Sequence, residues 1–273
     1  MKNFKKLLAV LLAGLMLLSL AACGGKESTY KSGVLEMEML QSAVKHTDDC
    51  SIIAGSNGKK SREIYSNLSA ALMDLESGKI VTLCVDETVA KYIVAQNDKF
   101  EFSSGGPYKT GFSMLTKESN TEVYNILNNA IKEMKADGTL DSLIANELKA
   151  YIESDPVAKD LPHFDGAKTI KIGVTGDLPP MDFVASNGKA AGFNIALLTE
   201  IANRAQVNIE LVQIETGARA MALSTDKVDA VFWSKSITCS LCGTARTEMP
   251  EGTIITEVYF SDATAEIKLK PAK

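Results

Sequence analysis

Histidine, tryptophan and runs of basic residues are scarce in this chain. Its 273 residues include two histidines, His46 and His163, one tryptophan and five cysteines, and its net charge is −5. Two histidines far apart in sequence leave a zinc site short of ligands and acid–base catalysis short of its commonest group. With mild acidity and no basic patch interleaved with aromatics, nucleic acid is not an expected partner. So few thiols cannot staple a scaffold of this length, so an ordinary hydrophobic core is expected. The glycine turn Gly55-Ser56-Asn57-Gly58 lacks the Gly-Lys-Ser/Thr of a P-loop. It reads as a tight turn or, alternatively, as an anion cradle at a helix start. Beyond Leu18 no stretch is apolar enough to span a bilayer.

What is present begins with Lys2, Lys5 and Lys6, an apolar run from Leu7 to Leu18, and Leu20-Ala21-Ala22-Cys23. This is the pattern of a secretory signal, residues 1–22. The run falls short of the roughly 20 residues of a spanning helix. Its ending resembles a bacterial lipobox, which implies a lipidated Cys23 and an extracytoplasmic chain anchored by lipid to the bacterial cell membrane. Residues 23–32, rich in Gly, Lys, Glu and Ser, read as a flexible tether.

The remaining chain is long enough for two lobes. Periodicity predicts strands at Gly33–Leu40 and Ser51–Ala54, and a helix over Ser61–Glu76 carrying Ile64, Leu68, Ala71, Leu72 and Leu75. The strand Lys79–Val85 follows and delivers Asp86 at its end; Cys84 within it reads as a buried thiol. Next come a helix at Thr88–Ala95, strands at Phe100–Phe102 and Tyr108–Thr116, and helices at Asn120–Lys135 and Leu140–Tyr151. Two prolines and several charges make Glu153–Gly166 the best linker, which divides the chain into segments 33–150, 151–168 and 169–273. The last segment holds the strand Thr169–Val174, the turn Asp177–Phe183, the helix Phe193–Ala205, the strand Asn208–Ile214 and the helix Gly217–Thr225. In Val228–Thr238 an apolar strand runs into a polar turn with Ser234, Ser236 and Thr238. This is either a pocket edge or a core strand capped by Trp233 and hydroxyls. Leu75–Asp86 and Leu223–Ser234 superimpose without a gap, each a helix end, a tight turn and a buried strand. Two facing α/β lobes are therefore expected.

Several of these segments carry a family resemblance. Ile170-Lys-Ile-Gly-Val174, Pro179-Pro-Met-Asp-Phe183, Gly192-Phe-Asn194, Lys227-Val-Asp-Ala230, Ser236-Ile-Thr238 and Phe260-Ser261 resemble the first lobe of the family 3 extracellular solute-binding proteins of amino-acid ABC transporters. Val85-Asp-Glu-Thr-Val-Ala90, Lys109-Thr-Gly-Phe112 and Asp137-Gly-Thr-Leu140 resemble the second lobe. The order is reversed, as in a circular permutation or a degenerate tandem pair. A permutation implies that the strands near Phe260 and Val34 lie together at the lobe junction. The resemblance implies a periplasmic-binding-protein-like α/β fold of type II, two lobes around a ligand cleft. It also implies capture of a small amino-acid-like ligand for a permease, with no cofactor, no metal and no catalysis. By position, Asp177, Phe183, Trp233, Ser234, Ser236 and Thr238 would line one wall. Ser56 and Asn57 would approach the ligand carboxylate, and Asp86 would pair with its amino group. The family's arginine, three residues after that threonine, is Leu241 here; Arg246, or Arg219 on the preceding helix, could replace it. Cys239-Ser-Leu-Cys242 leaves free thiols, a local disulfide, or metal or redox work open. Two other readings are a surface or sensory module that has lost its ligand, and a dehydratase-type enzyme drawing on Asp86, Asp177 and Asp182.

Overall fold

A computed structural model describes residues 30–35, 60–153, 158, 160–239, 245–246 and 249–271. Its backbone is one large mixed sheet of two similar halves, together with a separate three-stranded sheet. One half is built on β1 (Tyr30–Leu35), β2 (Lys60–Tyr65) and β3 (Thr82–Asp86), with helices α1 (Leu68–Glu76) and α2 (Glu87–Gln96). After β4 (Phe100–Lys117) come α3 (Thr121–Ala136), α4 (Thr139–Ser142), a π-helical turn over Leu143–Leu148, and α5 (Lys149–Glu153). The second half has β5 (Thr169–Val174), the small strands β6 (Asp177–Leu178), β7 (Asp182–Val184) and β8 (Ala190–Ala191), and α6 (Phe193–Ala205). It continues with β9 (Asn208–Gln213), a 3₁₀ turn over Thr216–Ala218, α7 (Arg219–Ser224) and β10 (Ala230–Cys239), followed by β11 (Ala245–Arg246), β12 (Thr253–Ile255) and β13 (Phe260–Leu269).

The sheet order is β2-β1-β3-β13-β4-β10-β5-β9. In the β1 lobe, β1 pairs in parallel with β2 and β3, and β3 pairs antiparallel with β13. In the β5 lobe, β5 pairs in parallel with β9 and β10, and β10 pairs antiparallel with β4. The two halves thus repeat one topology, and β4 and β13 run between them antiparallel to each other. These are the expected two α/β lobes. The strands near Phe260 and Val34 share the sheet with β3 between them: Val34 stands opposite Cys84, and Cys84 opposite Glu266.

The repeat extends to hydrogen bonds. Gly78 and Asp226, aligned in the sequence echo, both have positive φ, 75° and 58°. The amides of Gly78 and Asp226 donate to the carbonyls of Leu75 and Leu223, both at 3.2 Å, and those of Lys79 and Lys227 donate to Asp74 and Ala222 at 2.9 and 3.0 Å. This left-handed closure of a helix end sends the chain straight into the next buried strand.

Alternation along the strands fills the two faces of the sheet. Ala230 and Phe232 join one core with Met114, Ile172 and Phe193, while Val231 and Trp233 join another with Leu115, Leu223 and Ile214. A separate core in the β1 lobe gathers Leu68, Leu75, Leu83, Val89, Phe100 and Ile267. The pairing of β13 with β4 on one side of β4, and of β10 on the other, keeps the β5 lobe's core continuous with the crossing strands.

Several boundaries differ from expectation. Residues 61–76 are not one helix: 60–65 pair with β1 as a strand, and the helix starts after Asn67, whose Oδ1 accepts the Ala70 amide at 2.8 Å. Ladder pairing outweighs the helical spacing of Ile64, which is 49 % exposed. Replacing this cap, Asn67→Ala, is expected to cost about 1 kcal/mol, read as a lower urea midpoint; an unchanged midpoint would refute the cap. The two strands expected at 100–102 and 108–116 are one, held on both sides by β13 and β10. The helix expected at 140–151 is broken by the π-helical turn, and that at 217–225 opens as a 3₁₀ turn. The expected strand at Ser51–Ala54 lies outside the described residues. No helix among the described residues is long and apolar enough to cross a membrane.

Candidate functional site

The carboxyl end of β5, the first half of β10, the start of α1 and the turn before β7 converge where the lobes face each other. There a cavity of about 50 Å³ is lined from the β1 lobe by Leu35, Ser66, Asn67 and Leu68, and from the β5 lobe by Thr175, Asp177, Asp182, Asn194, Arg219 and Trp233, among others. Strand ends at a change of chain direction are where α/β sheets present ligand groups.

Arg219 is the buried cation of this wall, 7 % exposed. Its Nε donates to the Thr216 carbonyl at 2.9 Å and its Nη1 to that of Phe232 at 3.1 Å, and its guanidinium lies 5.1 Å from the centre of the Trp233 ring. Backbone carbonyls and an aromatic face hold the fork in place. Asp177, half-buried, has its carboxyl pushed up by burial and by Glu215, while Thr175 and Arg219 pull the other way. Asp182 is buried, and its Oδ2 accepts the Thr175 amide at 2.8 Å. Burial lifts its carboxyl to about 6 against the pull of the Thr175 and Gly176 amides. Its Oδ1 has no partner among the described residues. Asn194 accepts a hydrogen bond from the buried Tyr259 hydroxyl at 3.0 Å, which fixes its side chain at the cavity edge.

Of the residues singled out from sequence, the structure brings Asp177, Trp233 and Arg219 to this cavity. Phe183 is buried beside it instead, its ring 6.1 Å from that of Tyr92 on α2, so it bridges the lobes. Asp86 is not among the lining residues; it lies at the crossing of β3 with β13. Ser234, Ser236 and Thr238 do not form a turn, because β10 continues to Cys239, with Ser234 opposite Phe112, Ser236 opposite Gly111 and Thr238 opposite Lys109. The long partner β4 carries the ladder past the point where the sequence turns polar. Arg246 lies on β11. Ser56, Asn57, Leu241, Cys242 and Cys23 lie outside the described residues. Among the described residues no three His, Cys, Asp or Glu side chains cluster to hold a metal ion. Sequence reasoning missed Asn67, Thr175, Asn194 and Thr216. The first stands at a recognisable helix cap, but nothing local marks the others.

Residues 170–242 match the model of the bacterial extracellular solute-binding proteins, family 3. Over these residues, about a quarter of the chain, the sequence is similar to that family. The matched segment contains β5 to β10, and with them Asp177, Asp182, Arg219 and Trp233. The L-arginine-binding protein of Pseudomonas aeruginosa is 30% identical over 78 residues, which are 29% of this chain and 30% of that protein. The chain therefore spans less than a third of this curated relative. Among solved structures, the ligand-binding core of GluR0 in complex with L-glutamate is 11% identical, with a TM-score of 0.43 over 91% of this chain and 87% of that one. The ligand-binding component of an ABC-type import system from Staphylococcus aureus, with zinc bound, is 9% identical, with a TM-score of 0.46 over 87% of this chain and 65% of that one.

Proposed function

We propose that this protein is a lipid-anchored, extracytoplasmic solute-binding protein that captures a small amino-acid-like ligand between its lobes and hands it to an ABC permease. The observation that carries the reading is a cavity between two lobes faced by charges of opposite sign, Arg219 and Asp177. A fixed guanidinium suits a ligand carboxylate, and a carboxylate beside it suits an ammonium group. The family 3 segment supports the ligand-binding reading, and the name of the Pseudomonas relative points to an amino acid. Lipid attachment rests on the Leu20-Ala-Ala-Cys23 ending, and export on that ending with the basic residues and apolar run before it. Binding is hinge closure without bond chemistry, which leaves Asp182 a structural carboxyl rather than a catalytic one.

A cavity of about 50 Å³ holds roughly three to five waters, less than an amino acid needs. A cleft of about 750 Å³ that shares Asn67, Thr175, Asp177 and Thr216 with it has room for such a ligand. The small volume directly beside Arg219 favours a second reading, a surface or sensory module that keeps the fold without the ligand. Thermal unfolding in the presence of a panel of amino acids, opines and small organic acids separates the two. A ligand at 100 times its Kd is expected to add about 2.7 kcal/mol of stability, a rise of several degrees. No shift with any member of the panel would sink the transport reading and favour the second.

A further inference from the structure

Two carboxyl groups stand where the lobes join, away from the cavity. Asp86 ends β3 opposite Thr264 of β13, and Asp262, two residues earlier on β13, stands opposite Thr110 of β4. Asp86 is 5 % exposed and Thr110 1 %. Asp262 accepts the Thr88 amide on Oδ2 at 2.8 Å and the Ala263 amide on Oδ1 at 2.9 Å, so it closes the start of α2 from another strand. Asp86 is the residue before that helix yet makes no side-chain capping bond. Its Oδ1 and the Thr110 Oγ1 have no hydrogen-bond partner among the described residues.

An ionised carboxylate with an unmatched oxygen, buried beside a second carboxylate, is unfavourable on both counts. A proton removes one charge and makes the Asp86–Asp262 pair a donor as well as an acceptor, a second donor beside the Thr110 hydroxyl. We propose that Asp86 and Asp262 hold one proton between them, and that its loss loosens the crossing of β3, β4 and β13, so that the lobe junction responds to pH. Burial pushes the Asp86 carboxyl up to about 7, the charge of Asp262 adds to this, and the nearby Thr110 hydroxyl opposes it. Asp262 is also raised, by burial first, with Glu87 adding and the Thr88 and Ala263 contacts opposing.

Other charged or titratable groups on the neighbouring elements are few. On α2, Glu87 pairs with Lys91 at 2.7 Å. On β13, Glu266 pairs with Lys268 at 3.8 Å. On β4, Lys109 precedes Thr110 and is exposed, and on β3 the half-buried Cys84 lies two residues before Asp86. On β1, Lys31 is engaged with Glu63 at 3.8 Å, toward the other end of the strand.

The folded protein then holds this proton more firmly than the unfolded chain, in which an aspartate titrates near 3.8. The pair's contribution to stability is full below that value and is lost as pH rises through about 7. The experiment is a carboxyl-carbon NMR titration of the full chain, with thermal midpoints at about pH 5 and pH 8, where an ordinary carboxyl is charged throughout. Asp86 is expected to titrate near 7 and the midpoint to fall toward pH 8. Asp262→Asn, which keeps an oxygen for Thr88, is expected to move the Asp86 titration down toward the ordinary range and to shrink the fall. If that variant does not fold, Asp86→Asn is expected to flatten the fall likewise, leaving the part due to Asp177 and Asp182. An Asp86 that titrates in the ordinary range, or a midpoint that responds to added sodium or potassium but not to pH, overturns the proposal. The test needs no ligand, so its failure leaves the proposed function standing, and the reverse also holds.

Discussion

Gly192→Ala is expected to destabilise the protein by roughly 2–6 kcal/mol, enough to leave little folded chain at 37 °C. Gly192 joins β8 to α6 with φ 115°. A Cβ there would meet the Met181 carbonyl oxygen at 2.5 Å, its carbon at 2.7 Å and the Pro180 oxygen at 2.9 Å, all of them backbone atoms. Nor can the turn retreat, because the amides of Phe193 and Asn194 donate to the carbonyls of Pro180 and Met181 at 2.9 and 2.8 Å. Those bonds tie the first turn of α6 to the cavity wall that carries Met181, Asp182 and Asn194. Gly188, with φ 78° and no atom within 4 Å of a Cβ, is the control. Gly188→Ala is expected to cost only about 1–2 kcal/mol. Equal urea midpoints for the two variants would show that the close approach does not govern the turn.

The second large effect is expected at Arg219. In Arg219→Met the methionine fills much of the volume but supplies no donors, so the Thr216 and Phe232 carbonyls lose their partner and the Trp233 ring its cation. Ligand affinity, measured by calorimetry with whichever compound stabilises the native protein, is expected to fall about 10- to 100-fold. Stability without ligand is expected to fall by about 1–3 kcal/mol as well. Arg219→Lys is not expected to restore affinity, since a single ammonium cannot reproduce a fork held at two carbonyls. An affinity unchanged in Arg219→Met would remove this residue from the site and return the role to another cation, such as Arg246.

Much of this architecture is legible in the amino-acid order because local and tertiary preferences agree there. Phe193–Ala205 is a helix by spacing, and in the structure Ile195, Leu198, Ile201 and Ala202 are buried as that spacing requires. The echo between Leu75–Asp86 and Leu223–Ser234 is equally plain, since a buried leucine, a left-handed turn and an apolar strand each leave a mark. What escaped was decided by partners far away in the chain. Residues 60–65 are a strand because β1 lies beside them, and the polar residues 234–239 stay extended because β4 runs on past Ser113. The cavity was half legible. Asp177, Trp233 and Arg219 stand near recognisable strand and helix ends, whereas Asn194 depends on Tyr259. Asp262, in a strand of mixed polarity, carries no signal that it will close a helix begun by Glu87.

The passage of β4 and β13 between the lobes also bears on how the chain folds. In the β1 lobe, β13 lies between β3 and β4; in the β5 lobe, β4 lies between β10 and β13. A fragment ending in the connection after α5 would lack an interior strand of its own sheet, and so would the fragment beginning at β5. Neither lobe is then a separable folding unit, and the protein is expected to unfold in a single transition. The interior strand of the amino-terminal half is β13, which follows every strand of the other half in sequence and pairs Thr264 with Asp86. During synthesis, then, the first half stays open until β13 has been made, after every other strand of the sheet.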